Sequence, residues 1–365
     1  MIRYKYSPYG GAEVFLRRFM AELRRRGHTL EVFSTEWPEG PGVAVHRVRV
    51  MGPSFLKPLC FAHNAARLVD KVRPDCVISL ERTYCQDIYR AGDGCHREWL
   101  MRRGLTVSPL KRLIIRLNPL HAVLLHLEKR MFSDARLKKV AANSAMVKAD
   151  IIRHYGLPEK RICVIYNGLD APAVNAGKRA EIRRSLGIPD SALLLLFVGS
   201  GFERKGLMTA VRGLGLLRDK GDIRLLVIGK GRPAKYLREA ARLGVGDRVA
   251  FKGPVAGAAE YYQAGDIFVL PSIYEPFSNA CLEAMAAGLP VITSKANGAA
   301  EILSPAGYNA VIDDPMDAAG LAERVLALTD NGVRAKAGDA AREIAARYTI
   351  ERNVAAFLEL MEGIS

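Results

Sequence analysis

The stretch Pro271-Ser-Ile-Tyr-Glu-Pro-Phe-Ser-Asn-Ala-Cys-Leu-Glu-Ala-Met-Ala-Ala-Gly288 decides the fold class of this 365-residue chain. It follows the apolar run Ile267-Phe-Val-Leu270, which predicts a buried strand because it is short, rich in β-branched and aromatic residues, and ended by a proline. Residues 280–287 are mostly strong helix formers, and Gly288 predicts the end of that helix. Strands and helices alternate in this way along both halves of the chain, which indicates an α/β protein with parallel sheets.

Two glutamates lie eight positions apart in this stretch. Glu275 is on the loop that leaves the predicted strand, and Glu283 is inside the next helix. Both are expected near the carboxyl end of the sheet, where α/β folds bind ligands. Ser278 or Asn279 can cap the helix, and the N–H groups at a helix start suit a phosphate. One carboxylate could hold a ribose diol and the other a sugar hydroxyl, whereas the alternative is an ordinary surface salt bridge.

A glycine-containing loop in the second half carries two adjacent cations. Val198-Gly-Ser-Gly-Phe-Glu-Arg204-Lys205-Gly206 follows a predicted strand and opens a helix. It is neither a G-x-G-x-x-G motif nor a P-loop, because Arg204 stands where the third glycine would be. The two cations can neutralise a diphosphate. The alternative, a pair of surface cations, conflicts with the helix dipole, which disfavours positive charge at a helix start.

The segment from Glu275 onwards resembles the E-x7-E signature of glycosyltransferase family 4. Glu-Pro-Phe, then Gly-Leu-Pro-Val-Ile and then Gly298-Ala-Ala-Glu301 follow in the order of that family. The resemblance implies the GT-B fold, in which two Rossmann-like domains face each other across a cleft. It also implies a retaining, metal-independent transferase that takes its sugar from a nucleotide-sugar.

The resemblance assigns roles to residues around the E-x7-E segment. Arg204 and Lys205 would stabilise the diphosphate of the leaving nucleotide, Glu283 would hold the ribose, and Glu275 would hold the hydroxyls of the sugar. The donor-binding set implied by the start of the helix is Phe277, Ser278 and Asn279. Gly229-Lys-Gly231 resembles the G-x-G element near the base, although a plain turn is the alternative.

The opening Tyr4-Lys-Tyr-Ser-Pro-Tyr-Gly10-Gly11 is similar to that of the lipopolysaccharide-core α-glucosyltransferases of the same family. This likeness implies that Gly10 and Gly11 approach the donor phosphates, and that glucose moves from UDP-glucose to a heptose. The chain departs from these enzymes at Phe15, where they carry an aspartate, although Glu13 lies nearby. Only about six mostly polar residues precede the loop, so the first strand is expected to be truncated.

A third candidate segment is Arg90-Ala-Gly-Asp93-Gly-Cys-His96. It resembles the A-D-x-C segment of the same glucosyltransferases, which implies that Asp93 lies beside the transferred sugar. Asp93, Lys205 and Glu275 are therefore the predicted catalytic residues. His96 is the second choice in this segment, and the alternative for it is a loop or core histidine.

The resemblance also implies the domain organisation. Residues 1–168 would bind the acceptor and residues 169–345 the nucleotide-sugar. Residues 346–365 would form a helix that crosses back to the first domain, with an apolar stripe of Val354, Phe357, Leu358 and Met361. The length itself favours two domains.

Positive charge is concentrated in the first half of the chain. Residues 1–170 hold 30 Lys and Arg against 16 Asp and Glu, and residues 97–139 hold 11 against 3. Mixed with Trp99 and the run Leu110-Lys-Arg-Leu-Ile-Ile-Arg-Leu117, this charge suits an anionic membrane surface or an anionic acceptor. The alternative is a solvated face over an ordinary core.

Several classes of protein are disfavoured by the sequence. No apolar run approaches the ~20 residues that span a bilayer, and the first residues lack the apolar segment of a signal peptide. The six cysteines show no C-x-x-C pair, which fits thiols in a reducing cytosol. We expect a cytoplasmic protein, peripheral on the inner face of the cell membrane, with no metal site, no cofactor beyond a UDP-sugar donor and no nucleic-acid partner.

The hypothesis from the sequence is a retaining, metal-independent hexosyltransferase. It would move glucose from UDP-glucose onto a lipid-linked or lipopolysaccharide-core glycan, so its partners would be the nucleotide-sugar donor and an anionic glycolipid or glycan acceptor. Two alternatives remain open: a family-4 transferase acting on another polysaccharide precursor, or a non-catalytic basic binding protein with a vestigial transferase fold.

Overall fold

A computed structural model describes residues 1–6, 11–38, 42–169, 178–255 and 258–364, without the side chains of residues 11–15. The chain divides into two compact units. The first comprises Met1–Gly168 and Ile350–Ser365, and the second comprises Leu169–Thr349.

The first unit is an α/β layer structure. Its elements in chain order are α1 (Gly11–Arg25), β1 (Leu30–Ser34), β2 (Val43–Arg47), α2 (Lys57–Val72), β3 (Ile78–Ser79), β4 (Ile88–Ala91), α3 (His96–Leu105), α4 (Pro109–Leu117), α5 (Pro119–Phe132), β5 (Lys139–Ala142), α6 (Ala145–Tyr155) and β6 (Ile162–Val164). β1 pairs with β2, and β3, β4, β5 and β6 pair in that order, all parallel.

Residues 1–6 fill the position of the first strand, between β1 and β3. Ile2 N–H donates to Ile78 O at 2.9 Å, and Phe33 N–H donates to Met1 O at 2.9 Å. Ile2 bridges both Phe33 and Ser79 in parallel fashion and is fully buried. The expectation of a truncated first strand is therefore corrected in one respect. The few residues before the glycine loop, although mostly polar, pair with both neighbouring strands.

The second unit is a doubly wound α/β domain. Its elements are α7 (Lys178–Ser185), β7 (Leu193–Val198), α8 (Leu207–Leu216), β8 (Ile223–Ile228), α9 (Ala234–Arg242), β9 (Val249–Gly253), α10 (Ala259–Ala264), β10 (Ile267–Leu270), α11 (Asn279–Ala286), β11 (Val291–Ser294), α12 (Ala300–Leu303), β12 (Val311–Ile312), α13 (Ala318–Ala327) and α14 (Asn331–Ala345). The six parallel strands run in the order β12-β11-β10-β7-β8-β9. The strand order therefore reverses between β7 and β10, and this switch point is where doubly wound sheets bind ligands.

The last helix, α15 (Ile350–Glu362), belongs to the first unit. Leu169 N–H donates to Tyr348 O at 2.9 Å just before α15 begins. The ring of Phe357 then packs edge-on against Phe19 of α1, with centroids 5.2 Å apart. Leu360 is buried in this core, whereas Leu358, predicted on the apolar stripe, is only partly buried.

Candidate active site

The switch point of the second unit brings two of the predicted catalytic residues together. Lys205 lies on the loop after β7, and Glu275 lies on the loop after β10. Glu275 is held by its backbone, since its N–H donates to Ala296 O and its carbonyl accepts from Gly298 N–H, each at 2.9 Å. Two loops that are far apart in sequence thus meet at the carboxyl end of adjacent strands.

Glu275 forms an ion cluster with both predicted cations. Its Oε2 lies 2.7 Å from Lys205 Nζ and 3.1 Å from Arg204 Nη1. The Lys205 and Glu275 side chains are about nine-tenths buried, and Arg204 is 34% exposed. Burial raises the pKa of Glu275, but the charges of Lys205 and Arg204 outweigh it and lower that pKa below its ordinary value. Two cations and one carboxylate leave a surplus positive charge, which favours an anionic ligand.

The glycines of the loop make this close packing possible. Gly206 has φ of 75°, and a Cβ there would lie 1.8 Å from Pro271 O. A Cβ at Gly199 would lie 2.4 Å from Lys205 Cδ. The glycines of this loop therefore make room for Pro271 and for the Lys205 side chain.

The three residues predicted to bind the donor at the start of α11 differ in their burial. Ser278 is the N-cap, and its side chain accepts from Cys281 N–H at 3.2 Å. Phe277 and Ser278 are buried, whereas Asn279 is half-buried. The side chains of Phe277 and Ser278 are therefore packed inside the second unit, where the Ser278 hydroxyl caps α11.

Glu283 lies in the second turn of α11 and is half-buried. Its Oε2 accepts a hydrogen bond of 2.8 Å from the hydroxyl of Tyr262 on α10. The sequence analysis missed Tyr262. A lone tyrosine in a helix does not reveal such a contact in the sequence, although a buried tyrosine hydroxyl usually finds a hydrogen-bond partner.

Asp93 is exposed on the turn between β4 and α3. The buried side chain of Glu128 on α5, also missed by the sequence analysis, stabilises this turn through hydrogen bonds. It is fully buried and accepts from the N–H groups of His96 and Arg97 at 2.8 and 3.2 Å. Arg82 donates to it at 3.0 Å and also donates to Gly94 O at 3.0 Å.

The Glu128 carboxyl is held ionised by this network. Burial raises its pKa, but Arg82 and a hydrogen bond from Tyr155 at 2.5 Å help to lower it below the ordinary range. The carboxylate therefore satisfies the start of α3 and fixes the turn that carries Asp93.

His96 is engaged inside the first unit. Its Nε2 lies 3.2 Å from His121 Nδ1, and burial together with the charge of Arg82 lowers its pKa to about 4. This surrounding fits the alternative of a loop or core histidine. Gly10 lies outside the described residues, and Gly11 is the first residue of α1.

The described ranges contain no group of three His, Cys, Asp or Glu residues placed to hold a metal ion. Within the same ranges, every helix is too short or too polar to cross a bilayer. The turn Gly229-Lys-Gly231 has a packing role, because a Cβ at Gly231 would lie 2.4 Å from the ring of Phe202.

Comparison with known proteins gives two family matches that together span most of the chain. Residues 9–171 match a model described as Glycosyltransferase Family 4, and residues 192–331 match one described as Glycosyl transferases group 1. The lipopolysaccharide glucosyltransferase WaaG of Escherichia coli K12 is 27% identical over 352 residues, which cover 94% of this chain and 92% of that protein.

Solved structures agree on the fold. The crystal structure of WaaG, a glycosyltransferase involved in lipopolysaccharide biosynthesis, superposes with a TM-score of 0.84 at 24% identity over 99% of both chains. Anabaena Alr3699/HepE in complex with UDP-glucose gives 0.70 at 20% identity, again over 99% of both. The chain has two Rossmann-like halves, as GT-B glycosyltransferases do, and a family model matches each half. The chain therefore belongs to glycosyltransferase family 4 and is related to WaaG.

Proposed function

We propose that this protein is a retaining, metal-independent hexosyltransferase that moves glucose from UDP-glucose onto a lipid-linked or lipopolysaccharide-core glycan. The observation that carries the proposal is the ion cluster of Lys205, Arg204 and Glu275 at the switch point of the second unit. The likeness to WaaG, named a lipopolysaccharide glucosyltransferase, and the UDP-glucose bound in HepE support the choice of donor and acceptor class.

In the proposed reaction the cluster acts on the leaving group. The bond between the sugar C1 and the diphosphate oxygen breaks, and charge builds up on the diphosphate. Lys205 and Arg204 stabilise that charge, which is larger in the transition state than in the bound donor. They take the part that a divalent ion would otherwise play. Glu275 fixes both cations and accepts hydrogen bonds from the sugar hydroxyls.

The remaining predicted residues bind and orient. Glu283 accepts hydrogen bonds from the ribose, and the backbone N–H groups at the start of α11 face the phosphates. Asp93 lies beside the transferred sugar. The acceptor oxygen attacks C1 on the face that the diphosphate leaves, and its proton passes to a diphosphate oxygen, so the anomeric configuration is retained.

A thermal-shift panel of UDP-, GDP- and ADP-glucose tests the donor. Binding to the native state alone raises the melting temperature by mass action, so we expect UDP-glucose to raise it most. Glu283→Ala should reduce the shift with UDP, whereas Glu275→Ala should keep it and lose turnover. If both variants bind UDP and turn over normally, the site is assigned wrongly.

Two further measurements test the reaction class. Slow hydrolysis of UDP-glucose without acceptor separates an enzyme from the alternative of a vestigial binding protein. The proton–proton coupling at the anomeric carbon of the product reports retention or inversion. A β-linked product from α-linked UDP-glucose would overturn the retaining mechanism.

We also propose that α4 docks on an anionic membrane surface. Four of its apolar side chains are exposed: Leu110 at 70%, Leu113 at 51%, Ile114 at 61% and Leu117 at 72%. Lys111, Arg112 and Arg116 lie on the same helix. Exposed apolar residues beside cations on one short helix are typical of interfacial binding, in which anionic lipid contributes about 1 kcal/mol per basic residue.

The structure corrects the details of this surface. Trp99 and Ile115, which the sequence assigned to this surface, are partly buried. Arg102 is paired with Glu98 at 2.7 Å, and Arg103 lies over the ring of Trp99. Met101 of α3 is exposed as well, at 57%.

Co-sedimentation with vesicles tests the docking of α4. We expect binding to phosphatidylglycerol vesicles at low salt, weaker binding at high salt, and none to neutral vesicles. Lys111→Glu with Arg116→Glu should release the protein, whereas the control pair Arg238→Glu with Lys336→Glu, exposed cations of the second unit, should not. Equal binding to neutral vesicles, or none to either, would remove the membrane from the proposal.

A further inference from the structure

Tyr262 is a buried tyrosine whose hydroxyl points at a predicted donor-binding carboxylate. It is 2% exposed, and its hydroxyl donates to Glu283 Oε2 at 2.8 Å. Its ring lies against Phe268 of β10, with centroids 5.9 Å apart. The hydroxyl is therefore carried by a side chain anchored in the sheet.

We propose that Tyr262 is a positioning residue that sets nucleotide affinity by holding the Glu283 carboxylate in the orientation that receives the ribose. The inference rests on the proposed function, in which Glu283 binds the ribose. Tyr262 itself touches no substrate in this scheme and acts only through Glu283.

The direction of the hydrogen bond follows from the surroundings. Burial, reinforced by the negative charge of Glu283, raises the pKa of Tyr262 well above its ordinary value. The Tyr262 hydroxyl thus keeps its proton at physiological pH and donates a hydrogen bond to Glu283 Oε2. A carboxylate has about four lone-pair sites, and the hydrogen bond from Tyr262 takes up one of them.

Tyr262 raises nucleotide affinity by preorganising the Glu283 side chain. A free glutamate side chain must lose rotamer freedom when it binds a ligand, and this loss lowers affinity. A glutamate held in place by a rigid neighbour has already lost that freedom. Removing the hydroxyl of Tyr262 should therefore weaken nucleotide binding about three- to tenfold, through the ribose alone.

The competing interpretation is that the hydrogen bond merely ties α10 to α11. In that case its loss would lower the melting temperature and weaken every nucleotide equally, whether or not the nucleotide has ribose hydroxyls. The two interpretations therefore differ in a ligand comparison rather than in overall activity.

Titration calorimetry of Tyr262→Phe with UDP and with 2′,3′-dideoxy-UDP makes this comparison. Phenylalanine keeps the ring packing and removes only the hydroxyl. We expect Kd for UDP to rise about three- to tenfold and Kd for dideoxy-UDP to stay unchanged. In a Glu283→Ala background the same substitution should have no further effect on UDP, as a double-mutant cycle requires.

Tyr308→Phe is the matched control. Tyr308 also donates a hydrogen bond in the second unit, to Val291 O at 3.2 Å, but it belongs to no proposed binding group. Tyr308→Phe should leave the affinities for UDP and for dideoxy-UDP unchanged. Equal weakening of UDP and dideoxy-UDP by Tyr262→Phe, or no weakening of either, overturns the inference. If Glu283→Ala itself binds UDP like the wild type, the ribose assignment of the proposed function fails, and the inference fails with it.

Discussion

Lys205→Met removes one charge from the ion cluster and keeps an unbranched side chain of similar length across Gly199. The Lys205 ammonium lies 2.7 Å from Glu275 Oε2 with 11% of its side chain exposed. After the substitution Glu275 still has Arg204 at 3.1 Å. The carboxylate is not orphaned, so the stability loss should be about 1.5–3 kcal/mol, the worth of one hydrogen bond to a charged group. It should stay below the ~3–5 kcal/mol lost when a buried charge is left alone.

The effect on transfer should be larger than the effect on binding. Loss of one preorganised group that stabilises developing charge costs about 10²–10³ in kcat. The KM for UDP-glucose should change much less, because the ground-state diphosphate keeps Arg204. Steady-state kinetics with saturating acceptor give both constants, and thermal unfolding gives the stability.

Arg212→Met is the control for this prediction. Arg212 lies on α8, which follows the same loop, and pairs with Glu239 at 2.9 Å, but it is 56% exposed. Its loss should leave kcat within about twofold, since exposed ion pairs contribute little. A decrease below about threefold in Lys205→Met, or a rise in KM with unchanged kcat, would show that Lys205 contributes only uniform binding or none.

Four other outcomes are expected. Gly206→Ala should cut kcat by about 10²-fold or prevent folding, because the new Cβ would overlap Pro271 O and displace the cation loop; activity and circular dichroism distinguish the two. Glu128→Gln should destabilise the protein by about 3–5 kcal/mol in chemical denaturation, because it leaves the Arg82 charge buried without its carboxylate. The pKa of Glu128 is lowered in the folded protein, so the carboxylate contributes its full stabilisation above its ordinary pKa. This stabilisation is lost as the pH falls from the ordinary pKa through the folded pKa. The wild type should therefore lose more stability on acidification than the glutamine variant. EDTA should leave transfer intact, and restoration of lost activity by Mg²⁺ or Mn²⁺ would contradict metal independence.

The second unit was the more predictable half. β10 has the predicted bounds, because a strand buried on both faces of a parallel sheet is a continuous apolar run. β4 was not predicted, since Arg90 interrupts its four residues. β4 is buried because it pairs with β5 and because Arg90 donates a hydrogen bond to Asn167. Neither contact can be read from the sequence around β4.

The site was predictable in its residue types but not in its pairing. The E-x7-E spacing placed both glutamates after β10, but it did not show that Glu275 binds Lys205, a residue on another loop. Glu128 and Tyr262 could not be predicted from the sequence for a similar reason. Each serves a partner that only the tertiary structure brings near, and a glutamate or tyrosine in a helix has no distinguishing pattern by itself.

The position of α15 has a consequence for synthesis on the ribosome. The core of the first unit includes Val354 and Phe357, which are translated only after the whole of the second unit. At about 5–20 residues per second, residues 1–168 must wait many seconds for their last helix, while the second unit has all of its strands. We therefore expect the second unit to become protease-resistant first in nascent chains, although it is the later one in sequence. A chain stalled after residue 349 should expose an apolar face on α1, which makes that intermediate a natural client for a chaperone.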